Sequence, residues 1–295
     1  MYLFNYEKAS SIKEAMEMFS AKKGKSSYMA GGTDLLVQMK QGRRRPEFVI
    51  DLKGIKGMDE ILIKDNEIII GALTSIRTIE CSSELKKKVP LLSEAAAKLG
   101  SVQVRNKATI GGNLCNASPS ADTASPLLAL DAKAEIYGYS GSRLIDLQNF
   151  FLGPGLTSLQ EGEILTHLKI PISSNSQGFV YYKLSTRKAM DLSFVGVAVL
   201  LELESTFRIK KARIALSAVA PTPIRALSAE KILEGQLLSD TLAREASELA
   251  CQASKPISDL RASEEYRKEM VRELCYQGIL FANNRAQKSM EGFPL

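Results

Sequence analysis

Apolar residues in the first part of the chain recur at two spacings, which predicts both helices and strands. Ile12, Ala15, Met16 and Phe19 follow helical spacing behind Ser11, so a helix is predicted from the Ser11 cap to about residue 21. Short apolar runs bounded by polar turns predict strands instead. The predicted strands are 27–30, 48–52, 61–63, 68–70, 134–138, 143–147 and 163–170, and further helices are predicted at 75–81 and 90–99.

The pattern changes after residue 178. Strands are predicted at 179–183, 194–204 and 209–219, followed by helices at 228–234, 240–253 and 263–286, and this order is typical of an α+β domain. The last helix is predicted to pack through one face, formed by Tyr266, Met270, Leu274, Gln277 and Phe281. A stretch rich in Ser, Asn and Gly at 172–178 is the predicted linker. We therefore expect two domains, 1–175 and 176–295.

Composition excludes several kinds of site. At 295 residues, with 45% hydrophobic and 24% charged residues, the chain is an ordinary globular protein with room for two cores. Its cysteines, Cys81, Cys115, Cys251 and Cys275, show no C-x-x-C spacing, and His167 is its single histidine. A zinc site, a cysteine-ligated iron–sulfur cluster and a catalytic histidine arrangement are therefore disfavoured. We interpret His167 as a structural or solvent-facing residue and the cysteines as reduced thiols.

The chain is basic, with a net charge of +6, and its densest positive stretch is Arg43-Arg44-Arg45. Elsewhere the positive charges are interleaved with acids, and no nucleic-acid module accompanies them. We interpret the arginines as a solvated loop or a protein docking patch and expect no nucleic-acid partner. The sequence shows neither a secretory signal pattern nor an apolar run of membrane-spanning length, so a cytoplasmic protein without a membrane span is predicted.

The first candidate ligand-binding segment carries Gly31 and Gly32 between a predicted strand and a short predicted helix. Thr33 or Asp34 is the expected cap of that helix. Glycine tolerates positive φ and lets an anion approach the backbone, and Thr33 adds a hydroxyl donor. The segment contains neither a Walker motif nor a G-x-G-x-x-G fingerprint, so nucleotide hydrolysis and Rossmann-type binding lose support. Taken alone, it favours an ordinary strand-to-helix turn.

A second glycine pair, Gly111 and Gly112, lies in a longer polar stretch at 103–122. This stretch combines the glycines with many small hydroxyl and amide side chains, which could satisfy the oxygens of a ligand in a buried channel. It too follows a β-prone run, so its backbone N–H groups are expected to face an anion. The two segments together predict a diphosphate held from both sides.

The motifs within these segments resemble a known family. They are Ala30-Gly31-Gly32-Thr33-Asp34, then Gln103-x-Arg105-Asn106-x-Ala108-Thr109-Ile110-Gly111-Gly112-Asn113, and Ser118-Pro119-x-x-Asp122. They resemble the FAD-binding (medium) subunit of molybdenum hydroxylases, a family that includes subunits of xanthine dehydrogenases and aerobic carbon monoxide dehydrogenases. Similar matches at 182–193 and 259–267 extend the resemblance to the C-terminal part.

The resemblance implies a fold and a set of cofactor contacts. The fold is an FAD-binding domain of the vanillyl-alcohol oxidase (PCMH) type at 1–175, with subdomains at about 1–53 and 54–175. A smaller α+β domain with a three-stranded antiparallel sheet and helices follows at 176–295. The implied FAD-binding residues are Tyr28, Met29, Ala30, Gly31, Gly32, Thr33, Asp34, Leu35, Leu99, Thr109, Ile110, Gly111, Gly112, Asn113, Ser118, Asp122, Leu165 and Lys183.

Two positions in the C-terminal part bear on the flavin itself. A cation at Lys183 could stabilise negative charge on the reduced ring, and the alternative is a surface lysine at the end of a strand. Some relatives place an aromatic residue on the ring directly after the aspartate that corresponds to Asp191, whereas this chain has Leu192. The branch that reduces aromatic acyl thioesters carries a cysteine-rich cluster loop, which this chain lacks, so that branch is disfavoured.

The function implied by the resemblance is electron transfer without a catalytic acid or base. FAD would accept electrons from iron–sulfur clusters on a [2Fe-2S] small subunit, after oxidation of a substrate on a molybdenum-cofactor large subunit. The electrons would pass to NAD+, or else to a quinone, ferredoxin or oxygen, and the expected assembly is a dimer of heterotrimers. Two alternatives stay open from the residues: a free-standing FAD-dependent oxidoreductase and a non-enzymatic basic binding module.

Overall fold

The computed structural model describes residues 2–22, 24–172 and 176–291. Fourteen strands and eleven α-helices are numbered here in chain order. The strands are β1 Asn5–Lys8, β2 Ser26–Met29, β3 Phe48–Asp51, β4 Ile61–Lys64, β5 Glu67–Gly71, β6 Lys133–Gly138, β7 Gly141–Asp146, β8 Phe151–Gly153, β9 Leu156–Thr157, β10 Ile164–Pro171, β11 Gln177–Leu184, β12 Val195–Leu203, β13 Ile209–Ser217 and β14 Ile224–Arg225. The helices are α1 Ile12–Ala21, α2 Leu35–Lys40, α3 Ile76–Cys81, α4 Ser83–Lys88, α5 Pro90–Ala97, α6 Val102–Arg105, α7 Ile110–Cys115, α8 Ala124–Ala129, α9 Leu227–Leu233, α10 Asp240–Ala253 and α11 Glu264–Met290.

The first sheet is small and parallel, with strand order β1-β3-β2. Parallel neighbours need a crossover connection, and α1 and α2 provide the connections on either side of β2. The Ser11 hydroxyl accepts a hydrogen bond from the Glu14 N–H and caps α1, as the sequence predicts. The Asp34 side chain makes no such bond to α2, so the predicted side-chain cap there is absent. This sheet places the end of β2 beside the start of the first glycine segment.

The second sheet is antiparallel, with strand order β4-β5-β10-β6-β7. Its two hairpins, β4–β5 and β6–β7, lie where the apolar runs predict them. The long connection between β5 and β6 carries α3 to α8. The predicted helices at 75–81 and 90–99 correspond to α3 and α5, and α4 between them is an addition to the prediction. The second glycine segment lies within this helical connection.

The third sheet is antiparallel, with order β11-β12-β13-β14. The three predicted strands form its body, and the two-residue strand β14 adds to one edge. Every residue of β12 is buried, because this central strand is covered on one side by α11 and on the other by α8 of the N-terminal part. The three predicted C-terminal helices are α9, α10 and α11.

The predicted packing face of α11 is only partly right, since Met270 and Leu274 are partly buried against the C-terminal core but the ends of the face are not. Tyr266 and Phe281 are 47% and 44% exposed, and the buried residues of the helix are Arg267, Val271, Cys275, Gly278, Ile279, Ala282 and Ala286. The cause is close approach of helix and sheet: a Cβ on Gly178 of β11 would overlap the Ala282 carbonyl oxygen. Only small side chains fit where α11 crosses Gly178, and Ala282 and Ala286 occupy that crossing.

The linker is only partly described. Strand β10 ends at Pro171 and β11 begins at Gln177, and the predicted domain boundary at 175 lies outside the described residues. The division at 175 and the subdomains at about 1–53 and 54–175 stay predictions. The parts on either side of the linker are joined by ion pairs, because Asp131 accepts bonds from Arg213 and Arg225 and pairs with Lys211.

Candidate cofactor site

A cleft of about 500 Å³ is lined by residues of the first and second sheets, of the connection between β5 and β6, and of the loop after β11. Its volume is in the range of pockets that hold small ligands and cofactors. All but two of the residues predicted to bind FAD line it. The lining residues among them are Tyr28, Met29, Ala30, Gly31, Gly32, Thr33, Asp34, Leu35, Leu99, Thr109, Gly111, Gly112, Asn113, Ser118, Asp122 and Leu165.

The two exceptions are Ile110 and Lys183. Ile110 is fully buried beneath the cleft wall. The Lys183 ammonium lies behind the wall, 2.7 Å from Oδ2 of Asp122 and 2.9 Å from the carbonyl oxygen of Lys98. Lys183 therefore reaches the cleft through Asp122, and it is not the surface lysine of the alternative interpretation.

The first glycine segment, residues 30–34, leads from the end of β2 into α2. Within the part of the chain that the structure describes, the backbone N–H groups of residues 31–34 have no hydrogen-bond acceptor. Gly32 has a φ of +73°, which other residues adopt only with strain. Asp34 keeps contact with solvent, but the cleft wall displaces water from its carboxyl and raises its pKa. This segment offers free backbone donors to an anion.

The second glycine segment, residues 109–113, differs from the prediction. It does not follow a strand: the short helix α6 precedes it, and its glycines lie in the first turn of α7. The N–H groups of residues 110–113 are already bonded. Ile110 N donates to Thr74 O at 3.0 Å and Gly111 N donates to Ala72 O at 2.8 Å, while Gly112 N donates to Thr109 Oγ1 at 3.1 Å. The backbone here serves packing and helix capping.

The two segments nevertheless meet, as the sequence predicts. A Cβ on Gly31 would overlap the Lys107 carbonyl oxygen, and a Cβ on Gly112 would lie 3.8 Å from the Ala30 Cβ. Beside this contact, the hydroxyls of Ser118 and Ser120 are 3.0 Å apart. The first segment thus supplies backbone donors, and the second supplies a rigid wall followed by polar side chains.

Asp122 lies at the boundary between the N-terminal and C-terminal parts. Its Oδ1 accepts a hydrogen bond from the Tyr181 hydroxyl at 2.9 Å, and its Oδ2 accepts one from Lys183 at 2.7 Å. Burial raises the pKa of Asp122, and the charge of Lys183 opposes that rise. Burial also raises the pKa of Tyr181, which keeps its phenol protonated. Asp122, Tyr181 and Lys183 thus form a hydrogen-bonded polar cluster with members from both parts of the chain, and this cluster is the floor of the site.

A loop at 185–193 borders the cleft from the C-terminal part. The Asp191 carboxylate holds its shape, since Oδ2 accepts from Arg187 N at 2.9 Å and Oδ1 accepts from Leu192 N at 3.0 Å. Met190 N donates to Gly100 O at 3.2 Å and ties the loop to the N-terminal part. Met190, Asp191 and Leu192 line the cleft. Leu192 is 52% exposed, so an aliphatic side chain lies at this edge.

The sequence analysis missed several lining residues, among them Gln38, Arg44, Asn116 and Glu163. Gln38 Nε2 donates to Asn116 Oδ1 at 3.1 Å, which connects α2 to the turn after α7. Position provides a signal for Gln38, because it lies one helical turn after Asp34. Arg44 and Asn116 carry no comparable signal, since tertiary contact alone brings them to the cleft.

The chain matches two family models, one after the other along the sequence. The FAD-binding domain of molybdopterin dehydrogenases matches residues 2–173, and the C-terminal domain of the carbon monoxide dehydrogenase flavoprotein matches residues 180–282. The chain belongs to the FAD-binding subunits of molybdopterin dehydrogenases. As a member of that family it is an oxidoreductase subunit, and its cofactor is FAD.

Individual relatives extend the likeness over nearly the whole chain. The FAD-binding subunit of a xanthine dehydrogenase from Escherichia coli is 32% identical over 93% of this chain and 94% of the relative. The medium chain of a glyceraldehyde dehydrogenase from Sulfolobus acidocaldarius is 32% identical over 94% and 97%. A solved structure of carbon monoxide dehydrogenase from Hydrogenophaga pseudoflava superposes with a TM-score of 0.94 at 30% identity, covering 96% of this chain and 98% of that chain. The mixed helix and sheet fold expected from the sequence is confirmed.

The remaining candidate chemistry lies apart from the cleft or is inert. His167 lies outside the cleft lining, with Nδ1 3.1 Å from Glu135 Oε2 on the second sheet, and its role as a structural or solvent-facing residue stays a prediction. Cys115 lines the cleft, but burial raises the pKa of its thiol to about 12, so it is a neutral packing residue. No helix among the described residues is both long and apolar enough to cross a membrane.

Proposed function

We propose that this FAD-binding subunit carries FAD in the cleft and serves as an electron relay in a molybdenum hydroxylase complex. A [2Fe-2S] small subunit would deliver the electrons, a molybdenum-cofactor large subunit would oxidise the substrate, and NAD+ is the proposed acceptor. The proposed assembly is a dimer of heterotrimers in the cytoplasm. The observation that carries the proposal is the match to subunits of multi-subunit dehydrogenases over nearly the full length of both chains.

The state of the titratable groups in the cleft supports a relay. Asp122 is paired with Lys183, Glu163 is paired with Arg143 at 2.7 Å, and Asp191 holds its own loop. These three carboxylates are therefore engaged within the protein, and the histidine lies outside the cleft lining. Asp34 is the one lining carboxylate without a pairing cation among the described residues, and it lies in the first glycine segment, where the diphosphate is proposed to bind. Bound FAD would supply the redox chemistry, and the protein would supply binding and tuning.

The proposed contacts divide the cofactor between the two walls. The free N–H groups of residues 31–34 would bind the diphosphate, because backbone donors at a glycine turn are suited to anions. The polar wall formed by Asn113, Ser118 and Asp122 would bind the remaining polar atoms. Leu165 and Leu192 would flank the flavin end. In this arrangement Lys183 would act on the flavin through Asp122.

The Lys183 role has its own test, which is the reduction potential of the bound flavin. In Lys183→Met the Asp122 carboxylate loses its counter-charge, so the potential should fall because negative charge on the reduced ring is less stabilised. Lys188→Met, on the exposed loop nearby, is the control and should leave the potential unchanged. Unchanged flavin content together with an unchanged potential in Lys183→Met would contradict the proposed role.

The function itself is tested by following the visible flavin spectrum of the purified chain reconstituted with FAD. NADH and a reduced [2Fe-2S] small subunit should each reduce the flavin, whereas small alcohols, aldehydes and purines should not do so without the molybdenum subunit. Steady turnover of such a substrate by the chain alone would indicate a free-standing oxidoreductase. A colourless protein after reconstitution would indicate a binding module without flavin.

A further inference from the structure

The cleft has an unusual distribution of charge for a site that takes an anionic dinucleotide. Four carboxylates line it: Asp34, Asp122, Glu163 and Asp191. Among the described lining residues, Arg44 is the only lysine or arginine. A diphosphate in this cleft would therefore face lining residues whose formal charge is mainly negative. The positions of the nearby cations then determine how favourable the binding free energy is.

Three of the carboxylates are paired with cations that do not line the cleft. Their cations are Lys183 for Asp122 at 2.7 Å, Arg143 for Glu163 at 2.7 Å and Arg187 for Asp191 at 3.8 Å. These cations already pair with protein carboxylates, so they are not free to neutralise a ligand. Arg44, by contrast, has no ion-pair or hydrogen-bond partner for its guanidinium within the described part of the chain.

The three consecutive arginines are not equivalent. Arg45 Nε donates to Gly42 O at 3.3 Å, and its guanidinium lies 4.3 Å from the ring centre of Tyr2. Arg43 does not line the cleft, whereas Arg44 does. The pattern of the sequence makes all three look like one solvated patch, but the turn after α2 separates their roles.

The backbone beneath Arg44 is fixed to the cleft wall. The N–H groups of Arg43 and Arg44 both point to Gln38 O, at 2.9 and 3.4 Å. The Gln38 side chain is bonded in turn to Asn116 at 3.1 Å, and both of these residues line the cleft. Arg44 therefore lies in a hydrogen-bonded turn after the C-terminal end of α2, and the free N–H groups of residues 31–34 lie before the N-terminal end of the same helix.

We propose that Arg44 binds the diphosphate of FAD and supplies the positive counter-charge that the cleft otherwise lacks. A guanidinium suits this role, because its planar set of donors matches two phosphate oxygens at once and it stays charged at any physiological pH. The N–H groups of residues 31–34 and Arg44 then act on the same group of the ligand, the first as dipoles and the second as a full charge. The inference rests on the proposed placement of FAD in the cleft.

The experiment measures equilibrium dissociation constants of FAD and of riboflavin, which lacks phosphate, with the full apo chain by quenching of flavin fluorescence. Arg44→Gln should weaken FAD binding about 10-fold to 100-fold, as expected for loss of a charged hydrogen bond, and should change riboflavin binding less than about twofold. Arg43→Gln is the matched control and should bind FAD like the wild type. Arg44→Lys should recover part of the loss, because it restores charge without the planar geometry.

The salt dependence gives an independent reading. Wild-type affinity for FAD should fall as salt rises, and that dependence should be shallower in Arg44→Gln, because screening acts on the charge that was removed. Wild-type FAD affinity in Arg44→Gln, or equal weakening of FAD and riboflavin, would overturn the inference alone. A wild-type chain that binds no FAD would overturn it together with the proposed function.

Discussion

The two glycine segments look alike in sequence and differ in structure. Each has a Gly-Gly pair within two residues of a threonine. In residues 31–34 the N–H groups are free and Gly32 has a positive φ. In residues 110–113 the N–H groups are bonded within the protein and Gly111 is packed against Ala72. One segment is thus equipped to bind a ligand and the other to hold that one in place.

The comparison shows that a glycine pair in a sequence indicates a close contact with the backbone but does not indicate whether the contacting group is a ligand or another part of the protein. At Gly31 and Gly111 the near neighbour is the protein's own backbone. At Gly32 the requirement is backbone conformation. The two segments are therefore not equivalent sides of one diphosphate site. The first offers free N–H donors, and the second packs against the first and supports it. Four experiments test this difference.

The largest expected effect is in amide hydrogen exchange. In the apo chain the amides of residues 31–34 should exchange fast, because they have no acceptor, and FAD should slow them by about tenfold or more. The amides of residues 110–113 should already be protected without FAD. Equal protection of both segments in the apo chain, measured by mass spectrometry on overlapping peptides, would remove the contrast.

Gly111→Ala should be the most destabilising of the single changes. The new Cβ would lie 2.6 Å from the Ala72 Cβ and 2.7 Å from its carbonyl oxygen, and overpacking of this kind costs about 1–3 kcal/mol. The melting temperature of the apo chain should fall by about 2–4 °C for each kcal/mol. Gly153→Ala is the control, because its nearest neighbour would be 4.0 Å away; equal melting temperatures for the two variants would contradict the packing role.

Gly32→Ala should act on affinity more than on stability. A side chain at a φ of +73° costs about 1–2 kcal/mol, but the apo loop can relax because its N–H groups are unbonded. The strain then appears when FAD orders the loop, and affinity should fall by about 5-fold to 30-fold. A melting temperature that drops as far as in Gly111→Ala, with unchanged FAD affinity, would reverse the assignment of the two segments.

The smallest effects should come from the paired threonines. Thr109→Val removes the oxygen that caps α7 and should cost about 1 kcal/mol of stability. Thr33→Val should leave apo stability within about 0.5 kcal/mol and weaken FAD binding, because the Thr33 hydroxyl has no partner in the described structure. Chemical denaturation and FAD titration of both variants measure the two quantities. If both variants changed apo stability and FAD affinity in the same way, the two threonines would have the same role.

Much of the fold could be predicted because the buried positions of helices and strands recur at regular spacing and are apolar in the sequence. Helix α10 has the predicted bounds, Asp240–Ala253, since its apolar positions recur at helical spacing behind a serine cap. Helix α4 was missed because Ser83–Lys88 contains one apolar residue, Leu85, and shows no period. The packed face of α11 was predicted only in part, because large apolar residues were taken as the buried ones, while the contact with β11 at Gly178 requires small ones.

The site was predicted less evenly. Motifs located most of the cleft, because local backbone conformation and small side chains are visible in the sequence. They could not reveal whether the N–H groups of residues 110–113 are free, since their acceptors belong to Ala72 and Thr74, far earlier in the chain. Nor could they distinguish Arg44 from Arg43. Those properties arise when separate segments meet.

The Asp122 contacts have a consequence for how such subunits can be recombined. Asp122 belongs to the part before the linker, whereas its two hydrogen-bond donors, Tyr181 and Lys183, belong to β11 after it. A chimera that joins the first part of one relative to the second part of another would keep both folds and still lose the floor of the site unless all three residues were inherited together. The three side chains form one hydrogen-bonded unit across the linker, so a recombinant subunit keeps it only when all three residues come from the same parent.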